Sequence, residues 1–165
     1  MKNINRKKVM KSILVFLTLC FIGRSPETYA QSPVKWEVSY LDSKTNTLGD
    51  SSSIVIMFNA HISDGWHLYA TKLENNEGPI PTEFVFENKT GNYVLDGEIQ
   101  EQQSISKYDP NFDMKVNYFE KKTVFTQSVK LVKNNTEISG YISYMVCDDE
   151  KCLPPTDEPF KLIIN

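Results

Sequence analysis

The 165-residue chain carries 18 basic and 21 acidic side chains and is 40% hydrophobic. Residues 1–30 hold six of the basic side chains, both arginines among them, and one acid, which leaves 12 basic against 20 acidic residues in 31–165, a net charge of −8. An acidic stretch without arginine lacks the guanidinium fork that grips phosphates and base edges, which argues against nucleic acid and against anionic membrane surfaces as partners.

The N-terminus reads as a secretory signal. Lys2, Arg6, Lys7, Lys8 and Lys11 precede an apolar run from Ser12 to Gly23 that is short for a membrane span, and Thr28-Tyr29-Ala30 fits a cleavage site. Residues 1–30 are therefore expected to be a signal peptide and residues 31–165 one domain in an oxidising compartment, periplasmic or secreted. Cys20 lies inside the apolar run after Leu19, where a lipid-modified cysteine would follow a small residue, so it is expected to leave with the signal.

The rest reads as all-β. Val34–Tyr40 alternates, Ser53–Ile62 is a buried-strand run, and Trp66–Ala70 is short and aromatic. Thr82–Glu87 and Tyr93–Ile99 alternate again. Gln100–Met114 is polar and reads as a long loop, of the kind that is often functional. Asn117–Val132 is long and should turn near Glu120-Lys121-Lys122; Ile138–Val146 leads into Cys147, and Phe160–Ile164 is a last strand. Turn signals stand at Asp64-Gly65, Thr90-Gly91-Asn92, Asp96-Gly97, Asp109-Pro110-Asn111 and Asn134-Asn135. Short strands at regular spacing predict an immunoglobulin-like β-sandwich of two antiparallel sheets.

Cys147 and Cys152 are the only cysteines after residue 30, with four residues between them. In the chain-entropy account a loop that small adds about 2 kcal/mol, against ~4.7 kcal/mol for a hundred-residue loop, so a cross-link serving stability would join distant strands. Three readings remain. The pair is a static local disulfide, or half of a zinc site completed by His61 and His67, or a redox-active dithiol. Zinc needs four ligands, and the spacing of the two histidines on β-structure does not bring both to one place. The redox reading needs an accessible loop and a gate over the sulfurs. Asp148, Asp149 and Glu150 disfavour a thiolate while Lys151 favours one, which suits a reductant. Pro154-Pro155 ends the ladder beyond the pair. No Ser-His-Asp constellation or paired acid has a recognisable setting, and the aromatics suit a β core.

Cys147-x4-Cys152-Leu153-Pro154-Pro155, entered from the tyrosine-bearing strand at Tyr144, resembles the active-site hairpin of the N-terminal periplasmic domain of the thiol:disulfide interchange protein DsbD. The family pattern has one more residue between its cysteines and a tyrosine where Leu153 stands. Gly65-Trp66-His67-Leu68-Tyr69 is similar to the family's Gly-Tyr-Tyr-Leu-Tyr segment, with Tyr69 keeping one tyrosine beside the cysteines and His67 replacing the other. Tyr108-Asp109-Pro110-Asn111-Phe112-Asp113 falls where the family has its cap loop, with Phe112 matching the shielding aromatic.

The resemblance implies an immunoglobulin-like fold and a relay of electrons to oxidised envelope proteins. The donor would be a membrane protein or a thioredoxin-like one, and the partners thioredoxin-like envelope proteins. It implies Cys152 as nucleophile, Cys147 as resolving thiol, and Tyr108, Asp109, Phe112, His67 and Tyr69 as their surroundings. No small-molecule cofactor is implied, and a monomer is expected. The chain ends at Asn165 without the family's transmembrane and thioredoxin parts, so its donor is expected to be a separate protein. His67 is either a half-buried strand histidine with no catalytic part or an imidazolium that would stabilise a thiolate. The rival reading is a non-enzymatic binding or assembly module whose short disulfide pins a hairpin.

Overall fold

The computed structural model describes residues 32–43, 53–73 and 78–165. The expected signal peptide and its cleavage point at Gln31 lie outside the described residues. Within the unit Ser32–Asn165 the described residues form eleven strands. In chain order they are β1 (Val34–Ser43), β2 (Ser53–Ile62), β3 (His67–Tyr69), β4 (Glu83–Phe86), β5 (Tyr93–Glu101), β6 (Ile105–Asp109), β7 (Met114–Glu120), β8 (Lys122–Leu131), β9 (Thr136–Tyr144), β10 (Val146–Cys147) and β11 (Thr156–Ile164). Every pairing between them is antiparallel.

Alternation builds the sandwich. Along β2, Ile54, Ile56, Phe58, Ala60 and Ile62 point inward and are buried, while Val55 and Met57 lie half-buried on the other face. The sheet β1-β2-β8-β5 faces the sheet β11-β9-β4 across these side chains. Aromatic rings bridge the two layers: Phe58 lies 4.6 Å from Phe84 and 5.0 Å from Phe160, and Trp36 lies 6.1 Å from Phe84, between ring centroids. Gly140 stands opposite Phe86 on one side and Phe160 on the other. A Cβ there would collide with the Val85 carbonyl oxygen and meet the Phe160 ring at 2.9 Å, so the two phenylalanines close over a bare backbone.

Hydrogen bonding sets a third group of strands, β10-β3-β7-β6, beside the sandwich. Two long runs in the sequence supply it by changing sheets. The run from Asn117 to Val132 breaks at Lys121, whose φ of 64° turns the corner between β7 and β8. The run ending at Cys147 breaks at Met145, so β9 stays in the sandwich and β10 leaves it. The inner strands of this third group are buried on both faces: Leu68, Phe119 and Val146 join the main core, while Tyr69, Val116, Tyr118 and Cys147 form a second, smaller cluster.

Three expectations need correction. Gln100–Met114 is not one loop, because Ile105–Asp109 forms β6 and pairs with β7 through Asp109↔Met114. Its first four residues are exposed, so backbone pairing at an edge makes the strand without a buried apolar pattern to announce it. Asp96-Gly97 is not a turn between strands. It lies within β5 where the register against β8 shifts, and Gly97 takes a φ of 82° there. The last strand also begins earlier, at Thr156.

Candidate functional site

The second cluster is where the sequence-expected residues converge. Cys147 and Cys152 face each other across a tight hairpin and are joined by a disulfide, with Cα atoms 4.0 Å apart. The backbone N–H of Leu153 donates to Val146 O and that of Asp148 to Lys151 O, each at 2.9 Å, on either side of the cysteine pair. Asp148 closes the tip, its Oδ1 accepting from the N–H groups of Glu150 and Lys151 at 2.9 and 2.8 Å. The Glu150 N–H above all holds the Asp148 carboxyl below its usual range. The two sulfurs differ in access: Cys147 is fully buried, and Cys152 is half-buried.

β3 forms the floor. In register, His67 stands opposite Cys147 on one side and Glu120 on the other, and Tyr69 stands opposite Tyr118. Opposite residues in a ladder share a face, so His67 and Cys147 project the same way. The imidazole ring lies 4.7 Å from the Tyr118 ring and 5.2 Å from the Tyr69 ring.

β6 and the turn after it form the roof. Asp109, only 2% exposed, accepts a 2.6 Å hydrogen bond from the Tyr69 hydroxyl at Oδ2 and a 2.8 Å bond from the Asn111 N–H at Oδ1. Burial pushes the Asp109 carboxyl up, but the Tyr69 hydroxyl, the Asn111 N–H and the neighbouring His67 outweigh it, and the net shift is downward. Burial, reinforced by Asp109, pushes the Tyr69 hydroxyl far up, so it stays a donor. Asn111 Nδ2 reaches the cysteine hairpin and donates to Asp148 O at 3.0 Å. Phe112 packs against the cluster holding Cys147, its ring 6.0 Å from that of Tyr69. The Tyr108 hydroxyl donates to Asp113, which completes the turn with a φ of 54°, and the Tyr108 ring is 55% exposed. A cleft of about 380 Å³ opens beside this roof, lined by Trp66, His67, Tyr108, Asp109, Tyr118 and Asp149 among others.

All seven residues expected at the site therefore gather in one place. The Cys2His2 alternative is not assembled: His61 lies on β2 with Nε2 3.8 Å from Glu37, His67 faces Tyr69 and Asp109, and both sulfurs are in the disulfide. Sequence reasoning gave no site role to Tyr118, which flanks His67, or to Asn111, which ties roof to hairpin. The alternation of Val116 and Tyr118 along β7 is the signal that could have found the first. Nothing local announces the second, because its partner is a backbone carbonyl 37 residues away. Among the described residues, no helix is long and apolar enough to cross a membrane.

No curated protein matches the chain. Among the solved structures that share the fold are these two. One is the N-terminal domain of DsbD from Neisseria meningitidis in the reduced form, at 18% identity and a TM-score of 0.50, with 78% of this chain and 85% of that one covered. The other is the N-terminal periplasmic domain of ScsB from Proteus mirabilis, at 15% identity and a TM-score of 0.56; there the match covers 79% of this chain and about half, 51%, of the other. The fold is thus the immunoglobulin-like one of the DsbD N-terminal domain. The profile of the family described as thiol:disulfide interchange protein DsbD, N-terminal, matches residues 37–163, and the chain belongs to that family.

Proposed function

We propose that this chain carries out thiol–disulfide exchange in the periplasm, relaying electrons from a membrane or thioredoxin-like donor to oxidised envelope proteins through Cys147 and Cys152. Family membership supports exchange in general. The observation that carries the finer reading is the asymmetry of the bond: Cys152 is half-buried at the rim, and Cys147 is sealed beneath it. A donor thiolate attacks Cys152 Sγ, the S–S bond breaks, and Cys147 leaves as a thiolate that takes up a proton. The donor's second thiolate attacks the mixed disulfide and releases Cys152, so the donor ends oxidised and this domain reduced. The same steps in reverse reduce an acceptor: the Cys152 thiolate attacks its disulfide and Cys147 resolves the link. Phe112 and the Pro110–Asp113 turn keep random oxidants away until a partner docks. The export signal proposed for residues 1–30 is supported by its basic start and apolar run.

The test is capture. Cys147→Ser should accumulate mixed disulfides through Cys152 with thioredoxin-like envelope proteins, and Cys152→Ser should accumulate far fewer. A redox titration decides against the static-disulfide rival, since a structural bond lies below about −300 mV and an exchanging one nearer thioredoxin-like values. No capture together with a potential below that limit rejects the reading.

A further inference from the structure

The buried group around Asp109 includes a histidine whose hydrogen-bond role is fixed by elimination. The Tyr69 hydroxyl spends its single hydrogen on Asp109 Oδ2. His67 Nε2 lies 3.2 Å from that hydroxyl oxygen and 3.3 Å from Asp109 Oδ2. Neither atom has a hydrogen to offer, because the Asp109 carboxyl is held down and ionised. Nε2 must therefore carry the hydrogen itself, whether the ring is neutral or charged. A change of protonation at His67 leaves this bond in place and switches only its charge.

The bond sits at the head of a chain of contacts that ends at the cysteine hairpin. Asp109 Oδ1 orders the Asn111 N–H, the Phe112 N–H reaches back to Asp109 O at 3.4 Å, and Asn111 Nδ2 holds the cysteine hairpin at Asp148 O. Whatever grips Asp109 thus grips the turn that carries Phe112.

We infer that His67 is a positioning residue for the exchange reaction: as an imidazolium it clamps Asp109, and through Asp109 the Pro110–Asp113 turn, over the Cys147–Cys152 bond, and loss of its proton slackens the clamp. This rests on the exchange reading of the cysteines. The neutral ring already donates to a carboxylate, and the charged ring adds to that bond the attraction between opposite charges. The other charged or titratable groups around the ring are Tyr69 on β3, Lys107 on β6, Tyr118 and Glu120 on β7, Lys121 at the corner, and Asp148 and Asp149 on the hairpin. Tyr69 and Tyr118 are both pushed up, by burial first, and stay neutral while histidine titrates. The Asp109 and Asp148 carboxyls, both held below the ordinary carboxylate range, stay charged over the same range.

The experiment measures the rate at which dithiothreitol reduces the disulfide in the folded chain, as a function of pH, in wild type, His67→Gln and Asp109→Asn. Glutamine keeps an N–H donor and removes the titration. The ratio of the His67→Gln rate to the wild-type rate cancels the reagent's own pH dependence. That ratio should be roughly tenfold at the acidic end of the range scanned, the factor that one pKa unit of coupling between adjacent opposite charges gives, and fall towards one at the alkaline end. Asp109→Asn should open the bond fastest at every pH, and His67→Tyr should lack the pH-dependent component. A ratio that stays flat with pH, a slower His67→Gln, or a bond that dithiothreitol never opens in any folded variant overturns the clamp. Failure of the exchange reading looks different: the ratio still varies with pH, but Cys147→Ser captures no thioredoxin-like protein.

Discussion

The two hydrophobic clusters of this domain are built to opposite rules. The one between β1-β2-β8-β5 and β11-β9-β4 is filled by aliphatic and aromatic side chains such as the fully buried Ile56, Phe58, Phe125 and Ile142; its ionisable members are the phenols of Tyr93 and Tyr144, with no carboxylate or imidazole among them. The one over β10-β3-β7-β6 is small and mixes Tyr69, Val116, Tyr118 and Cys147 with the buried His67 and Asp109. Dispersion and area burial hold the first, and they act between many atoms at once. The second hangs on a few directional bonds, and its roof meets the hairpin through the Asn111 Nδ2–Asp148 O bond and the packing of Phe112. A region with few apolar contacts opens locally at much lower free energy than a core strand. The sandwich can therefore stay shut while the roof over the disulfide moves.

This contrast can be broken from either side. The largest effect is expected in the sandwich: Phe58→Ala should cost about 3–5 kcal/mol in urea unfolding, as for other large-to-small core changes. It should leave the reduction rate of the disulfide in the still-folded protein unchanged. A change in that rate would mean that the two clusters are mechanically one.

Tyr69→Phe is expected to cost less, about 1–3 kcal/mol, because it removes the 2.6 Å donor from a buried carboxylate. It should nevertheless speed reduction of the disulfide by a small thiol, the reverse of the Phe58→Ala pattern. Equal stability loss with no gain in rate would detach Asp109 from control of the roof.

Acid gives the smallest and most local effect. The Asp109 carboxyl is held below its ordinary 3.8. A depressed carboxylate contributes its full stabilisation above 3.8 and loses it as pH falls from there through the lower folded value. Reduction by a phosphine, which works in acid, should accelerate over that interval relative to an unstructured peptide disulfide. Asp109→Asn should abolish the step.

Much of this layout was open to reading in the chain. Alternation at Ile54, Ile56 and Phe58 makes β2 a one-sided strand whatever it packs against, since successive side chains must point to opposite faces. The spacing of Cys147 and Cys152 permits a hairpin disulfide, and the turn residues Asp109-Pro110-Asn111 lie where the roof turns. β6 was missed because an edge strand with exposed side chains carries no hydrophobic period, and its pairing lies in backbone groups that every residue has. Asp96-Gly97 was misread because a glycine that relieves a bulge looks, residue by residue, like one that makes a turn.

The sequence by itself determined the strands that bury one face, their inward sides and the two sulfurs, because periodicity and covalent spacing are local properties. Only the tertiary structure decided that Asp109, brought in from 40 residues beyond Tyr69, would meet that hydroxyl and His67 under one roof. It also decided that Cys147 would be sealed while Cys152 stayed at the rim. Such meetings depend on where Lys121 and Met145 send the chain from one sheet to another, and no local pattern encodes the address of a distant partner.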